Sequence, residues 1–235
     1  MCPYQFLMRY IYRTQKQPLF FSDYGSFIHK ILELHLNGQL EKDELAPFYL
    51  RHFRENVRAN APSMAIFETY FNQGLSYLDD IDFPYSTPLS VEKKVDFSLV
   101  GHPFTAIIDC VANDNGIIVV DHKSRTLKPR STRKKPTKSD EELDRYLRQL
   151  YIYSIPVKEL YGEYPKALVF NCFRSGELIK EPFSEEKLEE AKKWATEQIR
   201  IIRDNEQWKP NMEYWKCRYL CDCRDKCEYF QMNRG

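Results

Sequence analysis

The sequence contains no apolar run approaching the roughly 20 residues that a membrane-spanning helix needs. Its amphipathic start, MCPYQFLMRYIYR, has neither an uninterrupted apolar core nor a small-residue cleavage site, so we do not expect it to be a signal peptide. We therefore expect an intracellular, cytoplasmic chain without a membrane partner. The chain also lacks a strong charge of either sign. Its net charge is +1, so any attraction to nucleic acid must come from local clustering.

Cysteine is present, but its pattern is not that of a disulfide framework. An odd number of cysteines, seven, argues in an intracellular chain for free thiols or metal ligands. Four lie within eleven residues near the C-terminus: Cys217, Cys221, Cys223 and Cys227. They form no C-x-x-C knuckle of the kind that dominates structural zinc sites, although a local zinc site stays open as an alternative. Cys110 and Cys172 lie in apolar segments and are expected to be packing residues.

The first third of the chain has the periodicity of helices. The helical segments are residues 4–13, 24–36 and 41–80. Ser22 or Asp23 could cap the second segment. We expect the third to be broken at Pro47 and near Pro62, because proline interrupts helical hydrogen bonding.

The period then changes to that of strands. The predicted strands are residues 89–99, 103–112 and 117–123. The last two are apolar on both faces at their centres, which is typical of the middle of a covered sheet. A helix over 140–155 ends at Pro156, a fourth strand covers 166–173, and a long helix capped by Ser184 covers 184–206. This order predicts an α/β core with a mixed sheet between helices.

Two acids lie on consecutive predicted strands, and the turn between the strands decides whether they can meet. A two-residue turn would pair Asp109 with His122 and send Asp121 to the opposite face. A three-residue turn over 114–116, with Gly116 in the left-handed position, fits better. It pairs Asp109 with Asp121, which brings their Cβ atoms to roughly 5 Å. Lys123 lies on the same face as Asp121.

Two carboxylates this close are costly in apolar surroundings unless a cation lies between them. Oxygen ligands at this spacing suit Mg²⁺ or Mn²⁺, and a neighbouring lysine could activate a water and offset charge on a phosphate. The alternative is a polar strand end whose acids and lysine are merely solvated or paired. Because both acids end apolar runs, AIID and IIVVD, we favour the metal-dependent site.

The pattern of Asp109 followed by Asp121-His122-Lys123 resembles the D…(D/E)-x-K signature of the PD-(D/E)XK nuclease superfamily. The resemblance implies a restriction-endonuclease-like core and hydrolysis of DNA phosphodiesters. It implies that the two aspartates bind the metal, that the backbone carbonyl of His122 adds a ligand, and that Lys123 assists the attacking water. Glu92, on the preceding strand, is a weaker candidate for supporting the metal.

Two further motifs resemble the RecB-like branch of this superfamily, which includes nuclease domains of DNA-repair helicase–nucleases and CRISPR-adaptation nucleases. Gly25 and His29 match the helical G-x-x-x-H motif, which implies that His29 is a metal ligand. Gln149 and Tyr153 match the Q-x-x-x-Y motif, which implies assistance at the catalytic site or on DNA.

The cysteines resemble the iron–sulfur members of the branch, which use one early and three late ligands. Cys2, Cys217, Cys221 and Cys227 would then hold a [4Fe-4S] cluster and join the two ends of the chain. The spacing departs from the usual pattern, since three residues separate Cys217 from Cys221 where two are usual, and Cys223 is an extra cysteine. We expect Cys223 to lie outside the cluster.

A basic segment follows the second aspartate, and no acid occurs between Asp121 and Asp140. Prolines and the absence of periodicity predict a loop over 127–139. We expect this segment to contact the DNA backbone, the alternative being a solvated loop. The candidate contact residues are Arg125, Lys128, Arg130, Arg133, Lys134 and Lys135.

We therefore expect one nuclease domain with three parts: a mainly helical part over 1–88, a catalytic core over 89–206 and an iron–sulfur tail over 207–235. The expected activity is Mg²⁺- or Mn²⁺-dependent DNA cleavage, as an exonuclease acting on single strands or DNA ends. The alternatives are a non-catalytic DNA-binding or assembly subunit and a zinc-binding interaction module. DNA is the expected partner, with protein partners in DNA repair, recombination or CRISPR adaptation.

Overall fold

The computed structural model describes residues 2–83 and 87–232. The α-helices of these ranges are α1 (Pro3–Phe6), α2 (Phe20–Leu36), α3 (Leu45–Asn56), α4 (Met64–Asp79), α5 (Lys138–Tyr161), α6 (Glu185–Arg203), α7 (Tyr214–Leu220) and α8 (Glu228–Met232). A π-helical turn, Leu7–Ile11, continues α1. The strands are β1 (Thr87–Leu99), β2 (His102–Asn113), β3 (Ile117–Lys123), β4 (Ala167–Cys172) and β5 (Glu177–Pro182). No described helix is long and apolar enough to cross a bilayer.

The five strands form one mixed sheet in the order β1-β2-β3-β4-β5. β3 and β4 run parallel and are connected through α5, whereas the other neighbours are antiparallel. This arrangement confirms the α/β class and the restriction-endonuclease-like core expected from the sequence. The predicted hairpin strands are all present, and the structure extends the first of them to Thr87.

Apolar clusters cover both faces of the sheet. On one face, Leu143, Leu147 and Leu150 of α5 pack on the strands, and Leu188 and Ala191 of α6 join them. On the other side, α2, α3 and α4 form an aromatic-rich cluster of their own, which also contains Phe173 at the end of β4. The sheet is therefore enclosed, and polar groups near its strand ends lie between two apolar layers.

Two predicted details of the N-terminal helices are wrong. α2 begins at Phe20, with Leu19 rather than Ser22 or Asp23 at its cap, because the phenylalanines at 20 and 21 belong to its apolar side. The side chain of Asp23 instead accepts a hydrogen bond from the backbone of Ala59. Pro47 does not break α3, since it lies in the first turn, where no intrahelical N–H is needed.

The C-terminal half differs from prediction at two elements. α5 continues through Pro156 to Tyr161, because Pro156 and Val157 are buried against the core. Gly162, in a left-handed conformation with φ 86°, is its C-cap. The edge strand β5 was not predicted, since four of its six residues are exposed and its sequence, ELIKEP, has weak strand propensity. α6 and its Ser184 cap agree with prediction.

Gly74 marks the closest approach of α4 to its neighbours. A Cβ atom added there would lie 2.8 Å from the hydroxyl oxygens of Tyr24 and Tyr49, and both rings are fully buried. The absence of a side chain therefore lets three helices pack together.

We predict that Gly74→Ala lowers the free energy of unfolding by about 1–3 kcal/mol, because overpacking outweighs the better helix propensity of alanine. Chemical denaturation checks this, with Asn72→Ala on the exposed side of the same helix as the control. A Gly74→Ala protein as stable as wild type would show that the two tyrosines can move aside.

Candidate active site

The turn between β2 and β3 has the predicted length. Asn113 is opposite Ile117, and the ladder continues to Cys110 and Val120. In this register Asp109 and Asp121 come next, so the three-residue turn is confirmed. Gly116 has a positive φ of 129°, and Asn115, at φ 51°, takes the left-handed position expected of the glycine.

Three side chains from three different elements converge beside this ladder. The donor atoms of His29 on α2, Glu92 on β1 and Asp109 on β2 all lie within 4.8 Å of one another. His29 Nδ1 lies 3.4 Å from Glu92 Oε1 and 3.6 Å from Asp109 Oδ2. A nitrogen and carboxylate oxygens at this spacing form a donor set for a divalent cation.

Glu92, the weaker candidate from the sequence, is a member of this tight group. Its φ is 45°, which is unusual for a residue other than glycine inside a strand. Strained backbone of this kind persists where surrounding structure enforces it, and it is common at functional sites. No sequence pattern marks this strained backbone, because the strain arises from the local geometry of β1.

Asp121 lies next to the group but turns its carboxylate to Lys123. Its Oδ2 lies 2.6 Å from Lys123 Nζ, although the pair makes no well-aligned hydrogen bond. Lys123 also donates to Gln149 Oε1 at 3.2 Å, and Gln149 donates to the hydroxyl of Tyr153 at 2.6 Å. Of the two motif residues of α5, which lie one helical turn apart, Gln149 therefore contacts the lysine and Tyr153 contacts Gln149.

The electrostatics of the site show a shortage of positive charge. Burial raises the pKa of Asp109 to about 7, and the charge of Asp121 adds to the shift. Burial also raises the pKa of Asp121, against the opposing effect of Lys123. Burial lowers the pKa of His29, but its hydrogen bond with Glu92 and the nearby carboxylates outweigh burial, so the net direction is upward. A divalent cation would supply the missing charge, and these residues therefore fit Mg²⁺ or Mn²⁺.

The backbone of His122 connects the donors. Its N–H donates to Asp109 Oδ2 at 2.7 Å, and its carbonyl oxygen lies 2.9 Å from His29 Nε2. Its ring points to the other face, where Nδ1 lies 3.0 Å from Nδ2 of Asn171, which donates to the hydroxyl of Tyr77 at 2.6 Å. Burial lowers the pKa of the ring to about 3, so it is neutral.

Asn171 and Tyr77 are functional candidates that sequence patterns did not single out. Asn171 could have been found from its place in an otherwise apolar strand, VFNCF. A buried amide needs a hydrogen-bond partner, so such a residue indicates a polar contact inside the protein. Tyr77 gave no signal, because a tyrosine on an amphipathic helix is common.

The basic segment after β3 is a loop, as predicted, but its cations differ in their surroundings. Arg125 pairs with Glu142, and Arg130 pairs with Asp144 and Glu181. The loop is further held by Asp140, whose carboxylate accepts from Ser131 and Thr137. Four candidate residues are exposed and have no ion pair with any described residue: Lys128, Arg133, Lys134 and Lys135.

Cysteines from both ends of the described chain line one cavity of about 270 Å³. They are Cys2, Cys217, Cys221, Cys223 and Cys227. The N-terminal segment docks on the tail through Gln5, which donates to Asp222 at 2.9 Å, and Tyr4, which donates to Glu228 at 3.0 Å. Burial raises the pKa of the Cys221 thiol to about 11, so the thiol stays protonated unless a metal displaces the proton.

A single metal ion needs closely spaced sulfurs. A tetrahedral zinc with Zn–S bonds of about 2.3 Å needs sulfurs roughly 3.8 Å apart. Among the described residues, no three cysteines have sulfurs within 4.8 Å of one another. Cys223, predicted to lie outside the cluster, is only 1% exposed but also borders the cavity.

Comparisons with known proteins identify the family. A family model of the PD-(D/E)XK nuclease superfamily matches residues 1–228, and no curated protein matches the sequence. Among solved structures, the chain is similar to a candidate exonuclease from Eubacterium rectale, at 15% identity and a TM-score of 0.42, covering 90% of this chain and 75% of that chain. It is also similar to the protein SSO0001, at 21% identity and a TM-score of 0.32, covering 87% of this chain and 95% of that chain. Because the family match spans nearly all of its length, the chain belongs to the PD-(D/E)XK nuclease superfamily.

Proposed function

We propose that this chain is a Mg²⁺- or Mn²⁺-dependent deoxyribonuclease of the RecB-like branch, acting as an exonuclease on single strands or DNA ends. The observation that carries the proposal is the convergence of His29, Glu92 and Asp109 within 4.8 Å, beside the Asp121–Lys123 pair. An isolated pair of acids could be structural. Acids, a histidine and a lysine together at a strand end form a catalytic arrangement for phosphodiesters.

Each residue has a distinct role in this proposal. His29, Glu92, Asp109 and Asp121 would hold a divalent cation, and the cation would supply Lewis-acid chemistry toward the phosphodiester. The carbonyl oxygen of His122, 2.9 Å from His29 Nε2, would offer a further oxygen ligand. Lys123 orients the attacking water and offsets developing charge on the phosphate. Gln149 and Tyr153 fix the position of the lysine amine.

We predict that Asp109→Asn, Asp121→Asn and Lys123→Ala each reduce cleavage of labelled single-stranded DNA at least about 100-fold. In metal-free buffer, Asp109→Asn should melt at the same or a higher temperature than wild type. The reason is the raised pKa of Asp109, which means that folding disfavours its ionised form.

The matched control is Asp114→Asn, a partly exposed acid of the same hairpin that pairs with Lys180. It should cleave at the wild-type rate. Undiminished cleavage by Asp121→Asn would refute the site. A wild-type protein that binds DNA but never cleaves it with Mg²⁺ or Mn²⁺ would favour the non-catalytic subunit.

We propose that the exposed part of the basic loop contacts the DNA backbone through Lys128, Arg133, Lys134 and Lys135. Their lack of ion-pair partners among the described residues supports this role, since a paired cation must exchange one anion for another. Arg125 and Arg130 belong to the same loop, but their acidic partners favour a structural role for them.

We predict that replacing Arg133, Lys134 and Lys135 with alanine reduces the slope of log affinity against log salt concentration by about 2 to 3 units. Fluorescence anisotropy with single-stranded DNA at several salt concentrations measures this. The charge-matched control replaces Lys193, Arg200 and Arg203 on α6. Equal losses in the two triple variants would mean that only net charge matters and that the loop has no special contact.

We also propose that Cys2, Cys217, Cys221 and Cys227 hold a [4Fe-4S] cluster. The cavity that these cysteines share supports it. A cluster held by these cysteines would fasten the N-terminal segment to the tail, in addition to the hydrogen bonds already present there.

We predict that anaerobically purified Cys2→Ser loses the visible absorption and iron of the cluster, whereas Cys223→Ser keeps iron near the wild-type level. Iron analysis and absorption spectroscopy check both variants. Metal retained in Cys2→Ser and lost in Cys223→Ser would instead indicate a local four-cysteine site, and zinc in place of iron would support the zinc alternative.

A further inference from the structure

A continuous row of aromatic rings runs from the cysteine-rich tail toward the candidate active site. We define the aromatic row as Tyr219, Trp215, Phe21 and Tyr70. Consecutive ring centroids are 5.4, 5.8 and 5.2 Å apart. Trp215 is 46% exposed, and the other three rings are partly exposed, so the row presents aromatic surface to solvent. The row thus crosses from α7 over α2 to α4.

An arginine connects the end of the row to the end of β3. The guanidinium of Arg174 lies 3.6 Å from the centroid of the Tyr70 ring and donates to the Tyr70 hydroxyl and to Gln73. It also donates to the backbone carbonyl of Ser124, the residue after Lys123. Arg174 has no carboxylate partner among the described residues. It is therefore a fixed positive charge beside the catalytic strand that is free to meet an anion.

Along α2, the aromatic row approaches the metal donors His29, Glu92 and Asp109. Phe21, Gly25 and His29 are spaced by four residues, so they lie on one face of the helix, and Phe21 is about 12 Å from His29 along the axis. A Cβ atom at Gly25 would meet only Ser124, at 3.8 Å, which is ordinary contact. Packing within the protein therefore does not require glycine there. Gly25 therefore leaves the surface of α2 without a side chain between the aromatic row and the metal donors.

We propose that the aromatic row is a binding track for single-stranded DNA, on which bases stack as the strand passes toward His29 and Asp109. The inference rests on the proposed nuclease function and assigns the surface that holds its substrate. Aromatic rings stack on any base, and Arg174 and Arg218, neither of which has a carboxylate partner among the described residues, complement the phosphates. The pairing of rings with unpaired cations favours a nucleic acid over an apolar polypeptide.

The test separates stacking from charge by comparing two 12-nucleotide probes with the same backbone, oligo(dT) and a fully abasic strand. Binding is measured with the full-length protein in EDTA, so that cleavage does not interfere. Wild type should bind oligo(dT) more tightly than the abasic strand, and Trp215→Leu should reduce this preference about tenfold. Trp215→Phe, which keeps a ring, should restore most of it. Trp194→Leu is the matched control, since Trp194 is 40% exposed on α6 and lies outside the row.

An unchanged preference in Trp215→Leu would overturn the track, as would an equal loss of affinity for both probes, which indicates a general structural effect. Tyr219→Leu, which removes another ring of the row, should also reduce the preference and keeps the test decisive if Trp215→Leu fails to fold. An oligo(dT) preference that depends on Trp215 in a protein that never cleaves DNA would sustain the track and refute the nuclease function. Cleavage of DNA by a protein that shows no Trp215-dependent preference for oligo(dT) would sustain the nuclease function and refute the track.

Discussion

The concentration of buried acid at the end of the central hairpin is the constraint on which the rest of the structure depends. Glu92, Asp109 and Asp121 approach one another where water is scarce, and their mutual repulsion opposes folding. In this arrangement His29 and Lys123 supply the compensating charge. A fold that gathers acids in this way sacrifices stability at the site, which is the pattern expected where a cation is to be bound.

The three-layer architecture provides the rigidity that such a site needs. Each donor comes from a different element, so only the packing of α2 against the sheet keeps them within reach. The backbone of His122 joins these layers because it binds both Asp109 and His29, while its ring is held by Asn171 on β4. Polar contacts on both faces of one strand therefore set the geometry of the donors.

Sequence patterns predict the features that depend on short-range interactions. Successive side chains of a strand alternate between the two faces of the sheet. This alternation and the length of the turn over 114–116 determine the register of the hairpin, and therefore bring the two aspartates together. Features that depend on tertiary packing were not predictable. Pro156 continues a helix because its surroundings are buried, the backbone of Glu92 is strained, and Asn171 finds its partners across layers. The aromatic row likewise unites helices that are distant in sequence.

A divalent cation among the gathered acids is the central claim. A crystal structure of the protein grown with Mn²⁺, with an anomalous difference map, tests this claim directly. We predict a strong anomalous peak within bonding distance of Asp109 and His29, with Asp121 or Glu92 completing the ligands. The claim would be contradicted by Mn²⁺ bound elsewhere with none at these residues. It would also be contradicted if no Mn²⁺ bound to these four side chains at saturating Mn²⁺.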